Sequence, residues 1–97
     1  MKKYKVIYSP HALTDLEDAV YYYNEQQKGL GKRFAAQVQL VLKSIKSNPH
    51  FASIRYEDVR CAQVPKFPYL VHYTIDEETR TVLIAAIYST HQQPLGE

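Results

Sequence analysis

The side chains best suited to chemistry lie in the second half of the chain, on predicted strands and just beyond them. They are Arg60, Lys66, Tyr88, His91 and Gln92. Arginine and lysine can bind phosphate groups, and tyrosine and histidine can transfer protons, so with suitable pKa shifts such a set could cleave RNA without a metal. That chemistry needs the side chains to converge on one face of a sheet. For Arg60 the alternative is an ion pair with Asp58 or with a helical acid.

Other kinds of catalytic or cofactor site are disfavoured. Cys61 is the only cysteine, so it can form neither an intrachain disulfide nor a thiolate-based zinc site, and we expect it to pack as a small core residue. The four histidines lack the spacing and the acidic neighbours of a metal site. Gly29-Leu30-Gly31 follows no strand and is typical of a helix end, not of a phosphate-binding loop. We therefore expect neither a metal nor a cofactor.

The basic residues are concentrated in one stretch. The chain has 97 residues and a formal net charge of +2, but residues 26–56 contain only basic charges and no acid. A basic face is predicted on the second helix, opposite its apolar stripe, at Lys32, Lys43 and Lys46. It could attract nucleic acid or an acidic protein, or simply keep the chain soluble. Acids on the first helix are expected to form a solvated face; they are Asp15, Glu17 and Asp18.

The elements that must position these residues begin with a strand and two helices. Alternation over residues 3–8 predicts a half-buried strand. Ser9-Pro10 provides an N-cap hydroxyl and a proline suited to the first helical turn, so a helix follows to about residue 28. Asn48-Pro49 ends the second helix, and a loop is predicted from there to about residue 56.

The remainder of the chain predicts a three-stranded meander. The strands cover roughly residues 57–65, 69–76 and 80–88, and the last is apolar on both sides, which is typical of an internal strand. The result is an α+β domain of order β-α-α-β-β-β, with a mostly antiparallel sheet packed on a helical hairpin. We expect one domain over residues 1–97 with a loosely held tail at 89–97. Without a signal peptide or a membrane-spanning stretch, the expected location is the cytoplasm.

Several motifs resemble one known family in their order and spacing. They are Tyr8-Ser9-Pro10 with Ala12 and Asp15-Leu16, Pro49, Val59-Arg60, Phe67-Pro68-Tyr69-Leu70-Val71-His72-Tyr73, and Ile84-Ala85-Ala86-Ile87-Tyr88 followed by Pro94. The chain resembles the RelE/ParE toxin superfamily of bacterial type II toxin–antitoxin systems, and in particular its ParE-like, plasmid-stabilisation branch. The resemblance covers almost the whole chain. It implies the β-α-α-β-β-β fold and a cognate antitoxin whose tail wraps the toxin, in a hetero-oligomer or with a toxin homodimer.

The resemblance implies one of two activities. ParE-like members bind DNA gyrase and block it without bond-making chemistry, whereas RelE-like members cut mRNA in the ribosomal A site. Ser89 and Gln92 stand where many relatives have a histidine and an arginine, and residues 69–73 lack an arginine common in the cleaving branch. We therefore expect a toxin that arrests growth by binding a macromolecular target, with gyrase as the preferred candidate. Its expected contacts are Arg60, Tyr88, His91 and Gln92.

Two alternatives stay open. The first is a ribosome-dependent mRNA interferase, a metal-independent endoribonuclease that would use Arg60, Lys66, Tyr88 and His91. The second is a degenerate toxin that has lost its target and persists as a non-toxic, antitoxin-binding module. In either case a protein partner is expected, and no membrane partner.

Overall fold

The structure, a computed structural model, describes residues 4–90. Its elements are β1 Lys5–Tyr8, α1 Pro10–Gln26, α2 Leu30–Ser47, β2 Ile54–Tyr56, β3 Val59–Gln63, β4 Tyr69–Asp76 and β5 Thr81–Ser89. The strands form one five-stranded sheet in the order β1-β5-β4-β3-β2. β1 runs parallel to β5, and all other neighbours are antiparallel. This confirms the predicted α+β class, with a helical hairpin packed on a mostly antiparallel sheet.

β5 lies inside the sheet, between β1 and β4, as its apolar sequence predicted. It pairs with β1 only as far as Ile84, so the same edge of β5 has no strand partner beyond that residue. On the other side, His72 pairs with Ala86 and Tyr73 with Ile84, which leaves Ala85 as the extra residue of a β-bulge. The second half of β5 is therefore open to contacts from α1.

Ser9 joins the start of α1 to this edge of β5. Its hydroxyl oxygen accepts the N–H of Ala12 at 3.0 Å, which satisfies one of the free donors of the first helical turn. The same hydroxyl donates to the carbonyl of Ala85 at 2.9 Å, and the Ser9 N–H donates to the carbonyl of Ile84. The predicted N-cap is confirmed, and it also fixes α1 against the bulge.

The two helices approach closely at the turn between them. Gly29 has a φ of 84°, a left-handed conformation that glycine adopts without steric cost. Gly31 is buried against α1, and its N–H donates to Asn24 Oδ1 at 2.9 Å. A Cβ atom at Gly31 would lie 2.4 Å from the carbonyl oxygen of Val20. The backbones can come this close only because residue 31 has no side chain.

The core lies between the hairpin and one face of the sheet. Four aromatic rings pack against one another here, with ring centroids 4.9–5.9 Å apart for the contacting pairs. They are Tyr23, Phe34, Phe67 and Tyr69. The predicted apolar stripe of the second helix is confirmed, because Phe34, Val38, Val41, Leu42 and Ile45 are all buried. Five of the nine tyrosines serve packing: two are buried in the core and three pack against it, namely Tyr4, Tyr73, Tyr8, Tyr23 and Tyr69.

Two predictions about these elements were wrong. Residues 54–56 were assigned to a loop but form β2, a short edge strand that pairs with β3 through a tight turn at Glu57 and Asp58. Three residues are too few for alternation to be read from sequence. On α1, Leu13 has the three- and four-residue spacing from other apolar residues that predicts a buried position, but it is 46% exposed, because this first part of the helix packs along the edge of β5. None of the helices within residues 4–90 is long and apolar enough to cross a membrane.

Candidate functional site

A group of polar side chains gathers on the outer face of the sheet, which is the face opposite the hairpin. Val71 and Ile87 are in the core, so alternation turns their neighbours His72 and Tyr88 to the outer face. Cys61 is the partner of His72 across β3 and β4 and shares that face. These three residues, with three others from α1 and β2, form what we call the outer-face cluster. Its members are His11, Asp15, Tyr56, Cys61, His72 and Tyr88.

The N-terminal part of α1 supplies one half of the outer-face cluster. His11 Nε2 lies 3.0 Å from Tyr88 Oη and 3.5 Å from Asp15 Oδ2. Asp15 Oδ2 also accepts the N–H of Ile87 at 2.9 Å, and its side chain is only 14% exposed. The prediction of a solvated acidic face is therefore wrong for Asp15. Its carboxylate takes the place of a strand partner along β5, while the two other acids named with it are exposed.

His72 is the centre of the other half. It is 3% exposed, and its Nδ1 lies 3.0 Å from Tyr56 Oη and 3.4 Å from Cys61 Sγ. Burial lowers the pKa of the His72 imidazole, and the positive charge of Arg55 lowers it further. The neutral ring is thus favoured, and an unprotonated Nδ1 can accept the hydroxyl proton of Tyr56. The ring of His72 also meets the ring of Tyr88 edge-on, with centroids 5.1 Å apart.

Cys61 and Arg55 define the electrostatics of this half. Burial raises the pKa of the Cys61 thiol, and the nearby Arg55 only partly offsets that effect. Cys61 is therefore a thiol at neutral pH and is poorly suited to act as a nucleophile. It was expected in the core but is half-buried on the outer face instead. Arg55, which is exposed, brings a positive charge close enough to act on both Cys61 and His72.

The two halves of the outer-face cluster meet through the ring contact between His72 and Tyr88, and each half has groups that can hold or transfer a proton. In the first half, the same Nε2 atom of His11 faces both the hydroxyl of Tyr88 and, at 3.5 Å, the carboxylate of Asp15. Tyr88 is enclosed, at 6% exposed, whereas the side chain of His11 is 47% exposed. Within residues 4–90, no three histidine, cysteine or acidic side chains are placed so that they could hold one metal ion.

Arg60 and Lys66 do not join this cluster. Arg60 pairs with Tyr73 of the core, so it lies on the hairpin side of the sheet, and its Nη1 donates to the carbonyls of Ala52 at 2.7 Å and His50 at 3.3 Å. Among the described residues it forms no ion pair with Asp58 or with a helical acid. Its guanidinium instead holds the loop between α2 and β2. Arg60 and Tyr88 therefore lie on opposite faces of the sheet and do not meet the condition of convergence on one face.

Lys66 lies in the connection between β3 and β4, where it has a φ of 71°. It lines a cavity of about 410 Å³ between that connection and the hairpin, away from the outer face. The basic residues of α2 are exposed as predicted; they are Lys32, Lys43 and Lys46. Lys43 and Lys46 border a second cavity of about 270 Å³ beside β1. His91 and Gln92 lie outside the described residues.

Several members of the outer-face cluster were not recognised from sequence. His11 and Asp15 are four residues apart on a helix, a spacing that places them on one face and was a readable signal. Tyr56 lies on the strand that was taken for a loop. His72 was noted only as part of a motif, and nothing in its own segment indicates that Cys61 and Tyr88 flank it.

Comparison with solved structures identifies the same fold in known toxin–antitoxin complexes. The chromosomal ParDE system of P. aeruginosa matches with a TM-score of 0.77 and 12% identity over 89% of this chain and 95% of that one. The intact E. coli RelBE complex matches with a TM-score of 0.71 and 15% identity, over 92% and 99%. RelBE2 of Mycobacterium tuberculosis matches with a TM-score of 0.67 and 22% identity, over 92% and 93%.

Sequence comparison gives the family. No curated protein of similar sequence was found. The family model described as the ParE toxin of the type II toxin–antitoxin system parDE matches residues 6–94, which is most of the chain. The fold, with its hairpin on a β1-β5-β4-β3-β2 sheet, agrees with that match. The chain therefore belongs to the ParE toxin family, within the RelE/ParE superfamily of type II toxin–antitoxin toxins.

Proposed function

We propose that this toxin arrests growth by binding a macromolecular target without breaking bonds in that target, and that a cognate antitoxin neutralises the toxin. The preferred target is DNA gyrase. The antitoxin partner is supported by the toxin–antitoxin complexes that share the fold. Of the four contacts predicted from sequence, His91 and Gln92 carry the proposal, because Arg60 binds loop carbonyls on the hairpin side and Tyr88 is 6% exposed. Plasmid stabilisation and a cytoplasmic location are parts of the same proposal.

The observation that carries the binding function is the enclosure of the groups that chemistry would need. Tyr88 and His72 are 6% and 3% exposed, and each is engaged with a neighbouring side chain. A phosphodiester would have to displace these contacts before either group could reach it. Arg60, the strand-borne cation proposed for phosphate binding, is occupied by two loop carbonyls on the other side of the sheet. The groups of a nuclease site are therefore not assembled on one accessible face, which supports a function by binding.

The test is supercoiling of relaxed plasmid by purified gyrase in the presence of increasing toxin. We expect inhibition that the antitoxin reverses. Variants at His91 and Gln92 should weaken inhibition, whereas Glu78→Ala in the exposed β4–β5 turn serves as a control that leaves it unchanged. Full supercoiling at a large molar excess of folded toxin would rule out gyrase as the target.

A second candidate, ribosome-dependent mRNA cleavage, is favoured by the half-exposed His11 beside Tyr88 and Asp15, and by the charge of Arg55 near His72. His11 would serve as the proton-transfer group and Arg55 as the phosphate-binding cation. Primer extension on mRNA from translating ribosomes tests it. Cuts at codon positions that disappear in His11→Gln, with the fold intact, would establish this activity in place of gyrase binding.

The degenerate-module alternative is tested by growth. Controlled induction of the chain alone should arrest growth if it is an active toxin, and expression of its antitoxin should restore growth. Normal growth with soluble protein, combined with tight antitoxin binding, would instead identify a non-toxic binding module.

A further inference from the structure

A cavity at the far end of the hairpin has features of a binding site. It has a volume of about 410 Å³, within the range of about 300–1,000 Å³ that is common for ligand pockets. The turn between α1 and α2 forms one wall and the β3–β4 connection forms the other. Apolar groups line most of it and two cations stand with them; the main ones are Tyr23, Leu30, Phe67, Pro68, Arg33 and Lys66.

The apolar part of this cavity is held in place by the core. The ring of Phe67 contacts those of Tyr23 and Phe34, with centroids 4.9 Å and 5.1 Å away. The connection that carries Phe67 is fixed by the side-chain amide of Gln63. That amide donates to the carbonyls of Val64 at 3.1 Å, Phe67 at 2.8 Å and Tyr69 at 3.3 Å. A site that is already ordered loses less entropy when a ligand binds.

The two cations are available to an incoming anion. Neither Arg33 nor Lys66 forms an ion pair with any residue between 4 and 90. Lys66 holds a φ of 71°, which is costly for a lysine and is maintained by the bonded connection around it. Lys28 and Lys32 add positive charge in the adjoining turn, and the sequence has no acid from residue 26 to residue 56. The rim of the cavity is therefore positively charged.

We propose that this cavity binds an acidic segment of a protein partner, with one large apolar side chain of that segment in the cavity and its carboxylates beside Arg33 and Lys66. A nucleotide could also place its phosphate beside these cations, but the mostly apolar lining favours an apolar side chain, and the experiment below separates the two. In a toxin–antitoxin pair the acidic segment belongs to the antitoxin, and to that extent the inference rests on the proposed function.

The test uses the full chain, labelled with ¹⁵N, and a short capped peptide with one phenylalanine between acidic residues. Amide shifts should concentrate around Leu30, Arg33 and Phe67. Replacing the phenylalanine of the peptide by alanine should weaken binding roughly tenfold to a hundredfold, the usual worth of a buried aromatic side chain. Uridine monophosphate and inorganic phosphate are titrated in parallel and should shift these amides much less than the peptide does, because neither supplies an apolar side chain to fill the cavity.

Two double variants with the same change in net charge separate the site from general attraction. Arg33→Gln with Lys66→Asn, where asparagine tolerates the positive φ, should weaken binding by about tenfold, the sum of two exposed ion pairs. Lys43→Gln with Lys46→Gln, at the second cavity beside β1, should change it much less. Equal loss in both variants, shifts centred elsewhere, or shifts caused by uridine monophosphate and not by the peptide would each overturn the proposal.

This experiment needs neither toxicity nor gyrase. If induction of the chain leaves growth unaffected while the peptide binds as expected, the proposed function fails and the binding site stands. If the chain arrests growth but the peptide does not bind at this cavity, the proposed toxin function stands and the binding site fails.

Discussion

Replacing Gly31 by alanine tests the close contact between the helices. The new Cβ would lie 2.4 Å from the carbonyl oxygen of Val20 and 2.8 Å from the side-chain amide of Asn24. Asn24 can rotate away, but the carbonyl belongs to the backbone of α1, so the helices must separate. Overpacking of this kind costs about 1–3 kcal/mol, and more where backbone has to move.

The net change follows from three contributions. Overpacking at the upper end costs about 3 kcal/mol, and loss of the hydrogen bond from Gly31 to Asn24 costs about 1 kcal/mol. Alanine returns about 1 kcal/mol through its higher helix propensity. We therefore expect Gly31→Ala to lower the free energy of unfolding by about 3 kcal/mol. At about 4–8 °C per kcal/mol for a domain of this size, Tm should fall by roughly 15 °C.

Urea and thermal unfolding, followed by circular dichroism, measure the effect. Gly29→Ala is the matched control: its Cβ meets nothing within 4 Å, and only its φ of 84° is unfavourable for alanine, at a cost of about 1–2 kcal/mol. Adding Asn24→Ala to Gly31→Ala should restore little stability. A stability of Gly31→Ala close to that of the parent, or full rescue by Asn24→Ala, would refute the role given to the Val20 carbonyl.

Three further predictions concern buried and titrating groups. Tyr73→Phe removes the 2.7 Å hydrogen bond to the carbonyl of Pro49 inside the core and should cost about 1–3 kcal/mol in urea unfolding. Because burial lowers the pKa of His72, the unfolded state binds more protons than the folded state below pH 6.5. The free energy of unfolding should therefore fall as the pH falls from 6.5, and His72→Gln should make this dependence on pH weaker. Hydrogen bonds, first from His50, lower the pKa of Glu77. The ionised Glu77 should therefore contribute fully to the free energy of unfolding above pH 4.5, and this contribution should be lost on further acidification. Glu77→Gln should remove this part of the acid transition.

The elements were predictable where the signal was local. Ser9-Pro10 indicates the start of α1, because serine offers a capping hydroxyl and proline has a fixed φ. Asn48-Pro49 indicates the end of α2, because proline has no backbone N–H to donate. The apolar residues on both sides of β5 gave its internal position. β2 was not predicted, because three residues are too few to show a periodicity. Its pairing with β3 also depends on a positive φ at Glu57, which is unusual for glutamate.

The site was harder to predict because its contacts are distant in sequence. His11 and Tyr88 are 77 residues apart and meet only because β1 ends before β5 does, so that α1 runs along the remaining edge. Alternation along β3 predicts that Arg60 lies on the side of its strand away from Cys61, as the structure has it. It could not tell that this side faces the hairpin and the carbonyls of the α2–β2 loop. Which face a side chain occupies follows from sequence, whereas what it meets there depends on the whole topology.

The separation of the two faces constrains how an antitoxin can act. The cavity of Phe67 and Lys66 lies on the hairpin side, and Tyr88 lies on the outer side of the sheet. A partner that filled only the cavity would leave the outer-face cluster uncovered. If the outer face binds the target, neutralisation by direct cover therefore requires an antitoxin segment long enough to pass around the sheet from one face to the other. A shorter segment could neutralise the toxin only by moving the hairpin against the sheet, and the backbone contact at Gly31 and the N-cap bonds of Ser9 oppose that movement.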